Sequence, residues 1–240
     1  MEALEIKTIF SFSLFGYSIP ITETVLISWL VMVVIIAASI VLTSKLKEVP
    51  DGPQVILESG VEFLNNYTKN QFGSFSRFLG PYMGTLFLFL LIANIIPVVS
   101  PLELKVFGRE FIPLFTIKPP ARDINVSAAL AVISILIVLV CGFSARGFSG
   151  WFKHLLHPLP MMLPFNVLDF GTRLMSLTLR LFGNILGGFV LMSLVESVFP
   201  VVFPAILALY FDLFDGLLQA GIFVFLTGIY ITEAVNLHKE

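Results

Sequence analysis

Apolar runs too long for a soluble core dominate this 240-residue sequence. The first, from Val25 to Leu42, reads VLISWLVMVVIIAASIVL and carries no charged side chain. Others run from about Tyr82 to Val99 and from Ile124 to Phe143. Each approaches the roughly 20 helical residues that cross the hydrocarbon layer of a bilayer. The runs are continuous and lack a period of two, which argues against a membrane β-barrel. Composition agrees: 57% of residues are hydrophobic and 12% charged, and mean hydropathy is +0.97. A soluble domain carries about a quarter charged residues. The expected fold class is an all-α integral membrane protein.

The expected organisation is a single membrane domain over residues 1–240, with about five transmembrane helices and one amphipathic surface helix. An N-terminal segment, 1–24, precedes a first span at 25–43. Residues 54–78 mix Val55, Leu57, Val61, Phe63, Leu64 and Tyr67 with Glu58, Glu62, Asn65, Asn66 and Lys69, which predicts an amphipathic helix lying along the membrane surface. Residues 82–143 supply two spans joined by a Pro-rich loop, Ser100–Asp123. In 161–235, the stretches Met161–Ser197 and Val201–Val235 each read as one helix. At about 35 residues each they would measure roughly 50 Å, against a core of about 30 Å, so the hairpin they form must tilt strongly or bend. Lys45, Lys47, Lys69, Arg77, Arg146, Lys153 and Lys239 would then share one side of the membrane. Lys7, Lys105, Arg109, Lys118 and Arg122 would share the other, which leans toward the N-terminus outside.

Several function classes fall away. A net charge of -2 gives no basic field for nucleic acid. The single cysteine, Cys141, sits in an apolar stretch and reads as a small core side chain. The acidic N-terminus lacks the pattern of a cleaved signal peptide. Neither G-x-x-x-x-G-K-[ST] nor G-x-G-x-x-G is present, so no nucleotide site, catalytic site or cofactor of its own is expected. His154 and His157 sit beside Trp151 and Phe152 and read as interfacial residues, with no metal implied.

Arg180 breaks the apolar pattern, in SLTLRLFGNILGG over residues 176–188. Its guanidinium stays charged at any ordinary pH, and long apolar flanks keep it from reaching an interface. Arg173, Ser176, Gly183, Asn184 and Gly187 fall at helical spacing from it and make one stripe of small and polar groups. A second stripe lies on the last helix: Asp212, Asp215, Gln219, Tyr230 and Glu233. It reads either as a hydrated path lined by titratable groups or, for Asp212 and Asp215, as solvated interface. Glu196 and Asn94 are isolated polar groups among apolar neighbours. Asn94 reads equally as an interhelical hydrogen-bond partner.

The segments LIANIIP at 91–97, PPARDINVSAALA at 119–131, PFNVLDFGTRLMSLTLRLFGN at 164–184 and LLQAGIFVFLTGIYI at 217–231 resemble subunit a of the F-type ATP synthase, in the order found in that family. The resemblance implies a membrane stator beside a ring of c subunits, each with one buried carboxylate. It also implies two offset half-channels, and Arg180 as the essential ion-translocation arginine. Asn184 and Gln219 match positions beside that arginine, Ser176 and Arg173 match its inner side, and Tyr230 matches a late tyrosine. Glu196, Asp212, Asp215 and Asn94 complete the expected ion path. The implied partners are the c ring, the b-subunit stalk, the F1 head, membrane lipid and the transported H+ or Na+. The compact length and the lack of a presequence pattern suggest a bacterial inner membrane, with an organelle-encoded copy as alternative. The sequence departs from the family at Phe189, where many members have Glu, at Asp212, often His or Glu, and at Arg173-Leu174, usually Lys-Pro. The lining of the outer half-channel is therefore open. So is the coupling ion, because selectivity in that family lies mainly in the c subunit. Two alternatives are a secondary transporter with Arg180 as its anion-binding residue and a structural membrane scaffold.

Overall fold

A computed structural model describes residues 8–14, 17–44, 46–50, 52–99, 119–156, 161, 163–198, 207 and 210–236. Most of the Pro-rich loop, the SVFPVVFP connection and the extreme C-terminus therefore lie outside the described residues.

The chain opens on two antiparallel strands, β1 (Thr8–Leu14) and β2 (Tyr17–Thr22). Phe10 pairs with Ile21, Phe12 with Ile19 and Leu14 with Tyr17. Serines alternate with these apolar residues in β1, and that period of two is the pattern of a strand. This ribbon departs from the all-α expectation, and it leads directly into the first helix.

Helix α1 (Glu23–Thr43) is apolar on every side and buries only Thr24 and Val31 among its described side chains. A helix of that kind suits a lipid surrounding. Helix α2 (Pro53–Phe72) is bounded by Gly52 and Gly73, both at φ 54. The left-handed backbone at Gly73 ends it six residues before the expected limit of 78. A 3-10 turn, Gly73–Phe75, then leads into α3 (Ser76–Val99). Helix α2 runs back along α3: a Cβ on Gly80 would stand 3.4 Å from Thr68 Oγ1, and one on Gly84 3.8 Å from Leu64 Cδ1. Glu58, Glu62 and Lys69 stay exposed, whereas Thr68 and Phe72 are buried.

Helix α4 (Ile124–Leu156) continues beyond the expected end at Phe143 and bends at Gly147, φ 69 and ψ 164. Past the bend Trp151 folds back on the helix. Its ring centre is 4.4 Å from that of Phe143 and 6.3 Å from that of Phe170. Helix α5 (Leu163–Val198) follows. A π-helical turn, Tyr210–Asp215, introduces α6 (Gly216–Asn236). Among the described residues five helices are long and apolar enough to cross a membrane: α1, α3, α4 as far as Gly147, α5 and the α6 segment. The chain is an all-α membrane protein apart from its small ribbon.

The core lies among α3 to α6. Leu79, Met83, Leu86 and Leu90 face inward from α3, and Ala131, Ile135, Val138 and Cys141 from α4. Leu177 and Leu181 join from α5, and Ala220, Phe223, Val224 and Ile231 from α6. The spacings of three and four residues are those of one helix face. Hydrocarbon offers no hydrogen bonds, so buried polar groups must find partners inside the protein. Thr178 and Thr227 donate to the carbonyls four residues earlier, at 2.9 Å. Ser134 does the same and also shares a 3.0 Å hydrogen bond with Tyr82. Asp123, 2% exposed, caps α4. Its Oδ1 accepts the Asn125 N–H at 2.9 Å and its Oδ2 accepts the Thr24 hydroxyl at 2.9 Å. That second bond fastens the start of α1 to the start of α4. Burial lowers the pKa of adjacent Arg122, and the charge of Glu23 opposes that shift.

Two glycines of α6 permit close approach. A Cβ on Gly216 would stand 2.8 Å from Asn94 Cβ, and one on Gly228 2.7 Å from the Tyr67 hydroxyl. Burial raises the Tyr67 pKa, so the hydroxyl stays neutral. Because the Asn94 Cβ is fixed to its backbone, Gly216→Ala should destabilise the bundle by about 1–3 kcal/mol. Gly171→Ala, whose Cβ would meet nothing within 4 Å, should be neutral or slightly stabilising. Thermal unfolding of the purified protein in detergent checks both, and equal midpoints would refute the packing at Gly216.

Candidate functional site

Helix α5 presents two different faces. One is packed: Leu177 is 1% and Leu181 0% exposed, and Phe170, Leu174 and Ile185 press against the same core. The other is open. Leu168, Met175, Leu179 and Leu194 are exposed there. Gly183 and Gly187 are exposed as well, and an added Cβ on either would meet nothing within 4 Å. Arg180 belongs to this open side and is itself exposed. It stands near the middle of the apolar stretch Leu163–Val195. Among the described residues no carboxylate pairs with it. The protein thus carries a fixed cation at mid-span and directs it away from its own core.

Arg173, two helical turns earlier, is in a different state. Its Nη2 donates to Glu233 Oε1 of α6 at 2.9 Å and also pairs with Asp169, one turn back on α5. The guanidinium carbon lies 4.6 Å from the centre of the Tyr230 ring, a cation–π distance. One turn beyond Arg180, the Asn184 amide donates to Asp215 Oδ2 at the head of α6. The stripe predicted on α5 thus divides: Arg173 and Asn184 turn toward α6, Arg180, Gly183 and Gly187 stay open, and Ser176 is half-buried. Asp215, at the end of the π turn, and Tyr230 and Glu233 of α6 all meet α5, as one continuous helix face requires.

Gln219, on that same face, is 4% exposed. Its Nε2 is buried and finds no acceptor among the described residues. Asn94, 7% exposed, donates from Nδ2 to the Gly216 carbonyl at 3.4 Å, which makes it an interhelical tie between α3 and α6. Glu196 and Asp212 fall on described backbone, in α5 and the π turn, but their side chains lie outside the described residues. Asp169 and Asp123 are not among the residues that the pattern alone singles out. The spacing of four between Asp169 and Arg173 is the signal that would find the first. Only the fold brings Asp123 to Thr24. Among the described residues no group of three His, Cys, Asp or Glu side chains is placed to hold a metal ion.

An exposed cation in the centre of an apolar helix, backed by a second polar helix face, agrees with the likeness carried by the 164–184 and 217–231 segments. The family described as ATP synthase A chain matches residues 25–232. The chain is also 35% identical over 224 residues to "ATP synthase subunit a, sodium ion specific" of Propionigenium modestum, covering 92% of this chain and 76% of that relative. The five apolar helices fit a multi-pass membrane subunit. The chain belongs to the ATP synthase A chain family, the membrane-embedded subunit a of ATP synthase.

Proposed function

We propose that this chain is the ion-channelling stator of an F-type ATP synthase in a bacterial inner membrane, with Arg180 as the essential arginine. The observation that supports the reading is the exposed guanidinium of Arg180 beside Gly183 and Gly187. A bare cation facing hydrocarbon costs at least about 2.5–3.5 kcal/mol. The cost is relieved if an anion is presented to that face. A ring of c subunits, each with one buried carboxylate, supplies such an anion repeatedly, and the two glycines let its helices come close. The b-subunit stalk and the F1 head complete the assembly.

The chemistry follows from charge. A ring carboxylate must be neutral to cross lipid and ionised to release its ion. As it reaches Arg180 the fixed cation favours the ionised form, and the ion leaves. The same cation repels H+ or Na+, so ions cannot pass directly from one half-channel to the other. One charge moving through 100 mV releases about 2.3 kcal/mol. The arginine–carboxylate pair must therefore stay weak, which contact with water ensures. Arginine suits this better than lysine because it does not yield its proton to the passing carboxylate.

The polar groups near Arg180 provide the routes. Glu196, Asp212 and Asp215 form the outer path, Asn184 and Gln219 lie beside the arginine, and Ser176 and Arg173 border its inner side. Asn94 and Tyr230 complete the route. The buried Nε2 of Gln219, without an acceptor among the described residues, is a donor that a water held in the path would satisfy. Catalysis of ATP formation belongs to the head.

Arg180→Ala and Arg180→Gln should reduce ion-driven ATP synthesis by the assembled complex in liposomes to background, while Leu179→Ala should keep most of it. Synthesis at the wild-type rate in either Arg180 variant would overturn the reading. A second reading concerns the ion. The likeness to a relative described as sodium ion specific raises Na+ coupling as that reading, although selectivity in the family lies mainly in the c subunit. Titrating Na+ at fixed pH under an imposed potential separates the cases. Sodium coupling predicts synthesis that rises with Na+ and stops without it. Proton coupling predicts indifference to Na+.

A further inference from the structure

The packed side of α5 lies on α4, and its hold on the last helix is polar. Two cross-links bracket Arg180: Arg173 with Glu233 before it, and Asn184 with Asp215 after it. The eleven helical steps from Arg173 to Asn184 cover about 16 Å of helix. Two fixed points at that separation define both the height of α5 along α6 and its roll about its own axis. Roll decides where the Arg180 guanidinium points.

We infer that Asp169, Arg173, Tyr230 and Glu233 form a positioning clasp that sets Arg180 toward the ring and silences the charge of Arg173. The inference rests on the reading of Arg180 proposed above and gives these residues a positioning role in addition to any place along the ion route.

The geometry gives the clasp two effects. The first is mechanical. Arg173 is engaged on three sides, by Asp169 from its own helix and by Glu233 and the Tyr230 ring from α6. Only a planar guanidinium offers several in-plane donors and a stacking face together. Its side chain is 14% exposed while those of Asp169 and Glu233 are about half exposed, so the guanidinium is shielded and its two carboxylates stay in contact with the surroundings. A shift of about 1 Å at a working group, caused from a distance, can cost about a hundredfold in rate.

The second effect is electrostatic. Arg173 and Arg180 lie on the same stripe, seven residues apart. An unpaired Arg173 would be a second permanent cation beside the ring and would hold a ring carboxylate at the wrong height. Two carboxylates on Arg173 remove that competitor and leave Arg180 as the cation without a carboxylate partner on this helix among the described residues. The departure at Arg173 acquires a physical reason in this way. A lysine can meet Glu233 but cannot also stack flat on Tyr230 and reach Asp169.

The test uses the assembled complex in liposomes, with rates divided by the amount of complex recovered. Glu233→Gln and the milder Arg173→Lys should each lower ATP synthesis per complex by about tenfold. The exchanged pair, Arg173→Glu with Glu233→Arg, combined with Asp169→Asn to remove the like charge one turn away, should exceed its single variants in rate. A clasp that served assembly alone would lower the yield of complex and leave the rate per complex unchanged, and that result overturns the inference. So does an exchanged pair no better than its single variants. Arg180→Ala run in parallel separates the two claims. If it retains full synthesis, the reading of Arg180 fails. If it abolishes synthesis while the Glu233 and Arg173 variants work normally, only the clasp fails.

Discussion

An arginine in hydrocarbon keeps its charge, and among the described residues no carboxylate pairs with Arg180. Much of the arrangement around it can be understood from that constraint. The helix that carries it needs a packed side for support and an open side for the cation. Leu177 and Leu181 anchor the first, and Gly183 and Gly187 clear space on the second. Charges elsewhere on the α5 stripe have to be neutralised, as Arg173 is by Asp169 and Glu233. A cation left open at mid-span is tolerable to a membrane subunit only when its surroundings provide an anion.

The remainder of the bundle follows from the absence of water. Thr178, Thr227 and Ser134 spend their hydroxyls on backbone carbonyls of their own helices. Asp123 satisfies the head of α4 and binds Thr24 of α1. The α1 helix has little else in common with the core and presents Trp29, Val33, Ile36 and Ile40 outward. Such side chains would be a liability in water and are at home against lipid. Among the described residues the polar face that joins α5 to α6 therefore stands out, and it lies beside Arg180, the cation that the proposed function requires.

Length and charge made the spans readable from the sequence, because about 20 uncharged apolar residues have few other fates. Arg180 stood out for the same reason. Smaller local effects were hidden. The period of two in FSFSL was masked by the brevity of the ribbon. The continuation of α4 to Leu156 depends on Gly147, which bends the helix at φ 69 and lets Trp151 return to Phe143. The stop at Gly73 depends likewise on one backbone angle. At the site, helical spacing placed Arg173, Arg180 and Asn184 together, but not which of them would find partners. That depends on the register of α6 against α5. Register decides that Glu233 meets Arg173 and Asp215 meets Asn184, and spacing within one helix carries no information about it.

The central claim is that the open side of α5, with Arg180 at its middle, faces the ring of c subunits. Disulfide cross-linking in the assembled complex tests it most directly. Single cysteines at Ser176, Gly183, Gly187, Leu177 and Leu181 would be paired with a cysteine next to the c-subunit carboxylate. The account predicts cross-links from Ser176, Gly183 and Gly187 and none from the buried Leu177 and Leu181. Cross-links from the leucines, with none from the glycines, would mean that Arg180 points away from the ring, and the account would be wrong.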